Sequence, residues 1–310
     1  MRVLVSGARG YIGSALCARL VSAGHDVHRL VRREQGRGDA LLDLPGRRID
    51  TTGLGPDGLA GIDVVFHLAG EPITPWRWSA AKRERIRSSR VVTTDVVARA
   101  LAALGPAAPT LVAMSAVGYY GDRGDDVLDE TSPPGTGTLA QVCQAWEAAT
   151  APARDAGVRV VNVRTGVVLG PGGGALGLQL PLFRLGLGGP LGSGRQWTSW
   201  ISLEDEVGAL LHAAETPSLS GPCNATAPEP VRNSEYTAAL ARALHRPALL
   251  RAPEPLLTLV AGRETTAEFL CASQRVRPAA LEQSGYDFVH PDLAGAFAAA
   301  TGGGAAGPAV

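Results

Sequence analysis

Met1-Arg-Val-Leu-Val-Ser6-Gly7-Ala-Arg9-Gly10-Tyr11-Ile12-Gly13 is the stretch whose reading decides the fold. Its first six residues form a short apolar run of strand character, and Ser14-Ala-Leu-Cys-Ala-Arg-Leu-Val-Ser-Ala-Gly24 behind it has helical periodicity. Strand, glycine turn and helix follow without a linker, and His25–Arg33 reads as a second strand at βαβ distance. Gly7 is expected to allow the tight turn, Gly10 the approach of a diphosphate to the backbone, and Gly13 the packing of helix on strand. Tyr11 and Ile12, inside the turn, are further cofactor candidates, and the N-terminus of the helix behind it presents free N–H groups to the anion. The bland alternative is a βα turn that packs well; a strand before and a helix after favour a dinucleotide site.

The second strand leaves the sheet where an acidic residue would hydrogen-bond a ribose 2′-OH. Arg32 and Arg33 stand there instead, with Arg9 inside the turn, which selects NADP(H) over NAD(H) because a charge-assisted bond to a 2′-phosphate is worth roughly 1.5–3 kcal/mol.

A chain of 310 residues, 45% of them hydrophobic, can bury a large core, and 29 basic against 29 acidic residues leave no whole-chain footprint for nucleic acid or membrane. Cys17, Cys143, Cys223 and Cys271 are widely spaced, without CxxC or a Cys/His cluster. That argues against a disulfide framework and a metal site, and for the cytoplasm. No signal peptide or membrane-spanning run is expected.

Residues 34–61 are expected to hold a short third strand and a connecting loop. Ile62-Asp-Val-Val-Phe-His67-Leu68-Ala69-Gly70-Glu71-Pro-Ile is a buried parallel strand whose small residues let a flat cofactor pass over its carboxyl end. His67, Leu68, Ala69 and Gly70 are therefore cofactor candidates, as are Arg90 and Arg164; Glu71 is a substrate candidate. Trp76-Arg77-Trp78 opens a long helix running to Leu101, basic in its first half, and suggests an aromatic and cationic wall for an anionic or planar ligand. Thr110–Gly121 is a strand that delivers Ser115 and Tyr120 at its carboxyl end, and Leu139–Glu147 starts another helix. Arg195, Trp197 and Trp200 flank a later turn. Together the two segments hold four of the five tryptophans, expected to face each other across a cleft.

The chain resembles the extended short-chain dehydrogenase/reductase superfamily, and within it the atypical YfcH-type epimerase branch. The likeness rests on Ser6–Gly13, on His67–Ile73 with Arg77-Trp78, Lys82 and Ser89-Arg90-Val91, and on Ser115–Asp122. It also rests on Phe183–Trp197 with Ser199-Trp-Ile201, on Ser273–Pro278 and on Gly285–Phe288. It implies an α/β fold, a Rossmann-type doubly wound parallel sheet with a smaller C-terminal substrate lobe. The implied division is 1–170 as the NADP-binding domain, with 198–225 returning to it, 171–197 and 226–300 as the lobe, and 301–310 as a flexible tail. NADP(H) is the implied cofactor, a small molecule the implied substrate, and a homodimer built on two Rossmann helices is common in the superfamily.

Ordinary members move a proton with a Tyr-x-x-x-Lys pair. By register that pair falls at Leu139 and Cys143 here, and the only lysine is Lys82, with Trp78 four residues before it. Ser115, Tyr120 and Lys82 are the remaining proton-donor candidates for an NADP-dependent oxidoreductase or epimerase. Loss of the pair is the feature that favours the alternative, an NADP(H)-binding regulatory or partner-binding protein without turnover; a non-redox lyase or cyclase is a third possibility.

Overall fold

The computed structural model describes residues 1–33, 36, 38–73 and 76–302. In chain order, β1 (Arg2–Ser6), α1 (Tyr11–Ser22), β2 (Asp26–Val31), β3 (Asp39–Asp43), β4 (Arg48–Asp50) and β5 (Val64–His67) lead to the long α2 (Ala80–Ala102). Next come β6 (Thr110–Ala116), β7 (Val127–Leu128), α3 (Thr138–Ala148), α4 (Ala151–Asp155), β8 (Val160–Thr165), β9 (Val167–Leu169) and α5 (Gly174–Arg184). The chain continues through β10 (Trp197–Thr198), β11 (Trp200–Ser202), α6 (Leu203–Glu215), β12 (Gly221–Ala225), β13 (Val231–Arg232) and α7 (Asn233–Ala243). It ends with α8 (Glu254–Ala261), α9 (Arg263–Thr265), a π turn over Thr266–Leu270, β14 (Arg275–Val276), α10 (Ala279–Gln283) and α11 (Leu293–Gly302).

Eight strands form one sheet in the order β12-β8-β6-β5-β1-β2-β3-β4. All neighbours are parallel except β3 and β4, so residues 34–61 supply two strands, the second an antiparallel edge. Strand order runs outward in one direction from β1 to β3 and in the other from β5 to β12. The reversal lies between β1 and β5, the crevice where open α/β sheets take ligands. Val64, Val65, Phe66 and His67 are all buried, as a central parallel strand covered on both faces requires.

One apolar cluster joins Val3, Val5 and Phe66 to α1 and α6; a second joins Leu4, Val65 and Leu111 to α2 on the opposite face. A third holds Leu176 and Phe183 of α5, Trp200, Tyr236 of α7 and Phe297 of α11 together. Residues 273–290 cross the expected lobe boundary. β14 pairs with β7, Leu281 and Tyr286 pack on the first cluster, and the backbone N–H groups of Val289 and His290 donate to the Asp205 carboxylate. Thr301 and Gly302, expected in the tail, belong to α11; 303–310 lie outside the described residues.

Candidate functional site

Gly7 has φ +69, and a Cβ there would lie 2.9 Å from the Leu68 carbonyl carbon. Its bare backbone is what lets the ends of β1 and β5 touch at the switch point. A Cβ on Gly13 would lie 2.2 Å from the Gly7 oxygen, whereas one on Gly10 would meet only that same oxygen, at 3.1 Å. Gly10 thus turns an open face outward. It is the N-cap of α1, with no side chain capping it and no acidic residue in the first turn. The first intrahelical bond runs from Ser14 N–H to the Gly10 oxygen, so the N–H groups of Tyr11, Ile12 and Gly13 remain for an anion. The Tyr11 ring lies in a glycine cradle: Cβ atoms on Gly170 and Gly173 would each come within 2.6 Å of it and one on Gly174 within 2.8 Å. Its hydroxyl is buried without a partner, and burial pushes its pKa up to about 12. Arg9, Arg32 and Arg33 are exposed.

At the end of β5 a buried relay ties the sheet to α2. The Ser6 hydroxyl accepts from the N–H groups of Leu68 and Ala69 and lies 2.8 Å from His67 Nδ1. His67 Nε2 is 3.2 Å from Thr93 Oγ1, whose proton goes to the Ser89 carbonyl. Ser6 therefore donates to Nδ1 and the Nε2–H donates to Thr93. Burial lowers the His67 pKa to about 4, which keeps the ring neutral. His67, expected at the cofactor, faces α2 and through Ser6 positions Leu68 and Ala69.

The turn over Gly70–Pro72 is clamped by one face of α2. Lys82 Nζ donates to Glu71 Oε1 at 2.8 Å and to the Pro72 carbonyl at 2.9 Å; Glu71 N–H donates to Ser89 Oγ; Arg90 Nη1 donates to the Glu71 carbonyl. The Arg90 guanidinium is buried over the Trp146 ring, 4.9 Å from its centroid, and a Cβ on Gly70 would press on it. Lys82, Ser89 and Arg90 recur at helical spacing because they serve one turn, and the Lys82 bond holds the Glu71 carboxyl below its usual range. Arg90 is thus a buried prop under the turn, and Lys82 and Glu71, expected to act on a substrate, are engaged with each other. Ser79, not Trp76, starts the helix, its side chain accepting the Lys82 N–H.

The end of β6 differs from expectation. Ser115 is buried and donates to Glu147 Oε1 at 2.7 Å. Arg164 pairs with both oxygens of Glu147, at 2.8 and 2.9 Å, and lies 3.5 Å over the Tyr119 ring. Its third contact is Nη1–H to the Tyr120 hydroxyl, which in turn faces Asn224 Oδ1 and the Asp129 carbonyl. Tyr120 is wholly buried and its pKa is pushed up to about 12. Tyr120, expected as a proton donor, and Arg164, expected at the cofactor, are thus both engaged in an internal polar network, because a buried guanidinium needs all its partners inside the protein. Sequence spacing alone did not single out Glu147, 17 residues before Arg164.

Leu139 and Cys143, at the register of the usual Tyr and Lys, lie in α3 and are buried. What stands beside them comes from the C-terminal segment. Glu268 Oε2 accepts the Leu139 N–H at 2.8 Å, and Glu264 accepts from the Thr138 hydroxyl at 2.5 Å and from Arg83 at 2.9 Å. Two carboxylates, 126 to 129 residues away in sequence, thus replace the absent cap of α3, whose N-cap Gly137 has no side chain to offer. Only the unsatisfied N-terminus of that helix could have hinted at them.

The tryptophans do not form a single wall. Trp78 is buried and meets Phe269 edge-on at 6.2 Å; Arg77 donates to the Leu259 carbonyl; Trp76 is 60% exposed. Trp197 is stacked between Arg232 and Arg275, at 4.1 and 4.3 Å, and its N–H donates to Asp125. Trp200, expected at the substrate, is 1% exposed and belongs to the third apolar cluster. Arg195 is exposed. Each segment packs on a different partner, the first on 259–269, the second on 125, 232 and 275.

Comparison with known proteins agrees with this architecture. The model of the NAD dependent epimerase/dehydratase family matches residues 3–224, and that of DUF1731, a domain of unknown function, matches 252–300. An epimerase family protein of Mycobacterium bovis is 46% identical over 299 residues, covering 96% of this chain and 97% of the relative. Human epimerase family protein SDR39U1 is 38% identical over 300 residues, covering 96% and 98%. A crystal structure of the human protein with NADPH superposes with a TM-score of 0.88 at 36% identity, covering 98% of this chain and 100% of that one. A nucleoside-diphosphate sugar epimerase structure from Corynebacterium glutamicum gives a TM-score of 0.77 at 38% identity, covering 97% of this chain and 58% of that one. The glycine turn at the switch point, the fold built around it and these likenesses together make the chain a member of the NAD dependent epimerase/dehydratase family with a C-terminal DUF1731 domain.

Proposed function

We propose that this protein binds NADP(H) at the β1–α1 turn and uses it in oxidoreductase or epimerase chemistry on a small molecule. The observation that carries the reading is the uncapped N-terminus of α1, opened by Gly10, beside exposed Arg32 and Arg33 at the carboxyl end of β2. Gly7, Gly10, Tyr11, Ile12 and Gly13 would hold the diphosphate, Arg9, Arg32 and Arg33 the 2′-phosphate, and Leu68, Ala69 and Gly70 the face of the cofactor. NADPH supplies the hydride chemistry when bound. Four free cysteines support a reducing compartment, the cytoplasm. Titration with NADPH and NADH tests the site: Arg32→Ala with Arg33→Ala should weaken NADPH by about tenfold or more and spare NADH. Equal losses for both would remove the arginines from the selector.

For the proton we turn to Glu268, whose carboxylate stands at Leu139, the register of the usual tyrosine. Glu268→Gln keeps an acceptor for the Leu139 N–H and removes the carboxylate that would exchange the proton. In a screen of carbonyl and sugar-nucleotide substrates it should lower turnover about 100-fold with NADPH affinity retained. Tyr120→Phe should keep near-normal turnover; the reverse pattern would return the assignment to Tyr120. A second reading, a cofactor-binding protein without turnover, draws support from Ser115, Tyr120 and Lys82 all being engaged with protein partners. NADPH binding without turnover of any substrate in the screen favours it.

A further inference from the structure

The exposed apolar residues are unevenly spread. Among the described residues, thirteen large apolar side chains are at least half exposed, and nine of them lie between Leu178 and Val260. α5 and its C-cap present Leu178, Leu182 and Leu185, with exposures of 56, 53 and 72%, on the side opposite the buried Leu176, Leu180 and Phe183. The chain after α5 then lies against residues 246–252: Arg246 donates to the Arg184 carbonyl, Leu250 N–H to the Gly188 carbonyl, and Leu191 bridges Ala252. That contact sets Leu249, 85% exposed, and Leu250, 55% exposed, beside the end of α5, and the chain runs directly on into α8, where Leu259 is 69% exposed.

Charge within the segments that form this face is one-sided too. Segments 174–191 and 245–263 contain Arg184, Arg246, Arg251 and Arg263 against one acidic residue, Glu254, in a chain whose totals are 29 and 29. All four arginines are exposed. Whole-chain neutrality, which at first sight excludes a membrane partner, averages this asymmetry away.

We propose that the face formed by α5, residues 184–191 with 246–252, and α8 docks on an anionic lipid bilayer. Exposed apolar side chains interspersed with arginines are what a surface-lying protein offers to the headgroup region. Each arginine gains from the negative surface potential of the leaflet. A second copy of the chain fits worse, because a two-fold contact through this face would set the same four arginines against each other. No helix among the described residues is long and apolar enough to cross a membrane, so the protein lies on the surface. The proposal is independent of the cofactor reading.

Flotation of the full chain with vesicles tests it, using phosphatidylcholine alone and phosphatidylcholine with one-third phosphatidylglycerol, at low and high salt. Binding should favour the anionic vesicles by about tenfold or more and weaken with salt. Leu185→Glu with Leu249→Glu should abolish it, and Arg184→Ala with Arg251→Ala should weaken it roughly tenfold. Val21→Glu, on a side chain 62% exposed elsewhere, should bind as wild type, and the melting temperature of every variant should stay within a few degrees of wild type, which reports that each has folded. No binding by wild type, equal binding to neutral vesicles, or equal loss in Val21→Glu would overturn the proposal. So would self-association in sedimentation equilibrium that Leu185→Glu with Leu249→Glu abolishes, which would assign the face to a second copy.

Discussion

His67 and Glu206 are buried ionisable residues that hold the sheet from opposite faces and respond oppositely to pH. His67 titrates near 4 in the folded protein against 6.5 unfolded. The unfolded chain therefore takes up its proton first as pH falls, and the stability that neutral His67 contributes above 6.5 is lost on the way to 4, about 3 kcal/mol at most. Glu206, wholly buried with only the Thr165 hydroxyl on one oxygen, is pushed up to about 8 from 4.5. The folded protein keeps that proton, so Glu206 costs stability as pH rises from 4.5 towards 8. In urea unfolding, Glu206→Gln should gain about 2 kcal/mol or more at pH 8 and little at pH 5, while His67→Gln should flatten the loss below pH 6.5. Curves parallel to wild type in either variant would show that the group is not titrating as described. Neither environment can be read from a histidine or a glutamate in a string, since each depends on which helix covers the strand.

The turn and helix at the start of the chain were legible as an element, and the structure separates the work of its glycines. Gly10→Ala adds a Cβ that meets one oxygen at 3.1 Å, on a backbone with φ −76 that alanine adopts freely. It should keep the stability within about 1 kcal/mol and weaken NADPH by about tenfold or more. Gly13→Ala places a Cβ 2.2 Å from a carbonyl oxygen and should lower the melting temperature by roughly 2–5 °C, as a cost of roughly 1–3 kcal/mol implies. If both variants melt alike, Gly10 is structural too. The long basic helix α2 was legible in its extent from the charge run and the apolar stripe, but its start was misplaced by four residues. Ser79 is the cap, and the aromatic residues before it drew the boundary outward.

Across the whole molecule, the C-terminal segment is joined to the Rossmann half by Trp78 on Phe269, Arg83 on Glu264, and Glu268 on the first turn of α3. Arg83 and Glu264 are 39 and 31% exposed, so that pair contributes less than about 1 kcal/mol and the buried tryptophan carries more of the join. Trp78→Ala should open residues 254–271 to limited proteolysis at temperatures where the wild type and the sheet of the variant are still protected. Simultaneous loss of all protection would make the segment part of one cooperative unit with the sheet.

By itself the sequence determined the β1–α1–β2 unit, the parallel sheet and the place of the glycine turn, because apolar strand runs, helical periodicity and glycine sterics act between residues close in the chain. Only the tertiary structure decided what the charged and aromatic side chains do. Tyr120 and Arg164 are taken up by Glu147 and Asn224, Trp200 by the third apolar cluster, and Lys82 by Glu71, while Glu264 and Glu268 arrive at α3 from more than a hundred residues away. A buried polar group takes whichever partner the fold brings within hydrogen-bond reach, and nothing local in the sequence records which distant segment that is.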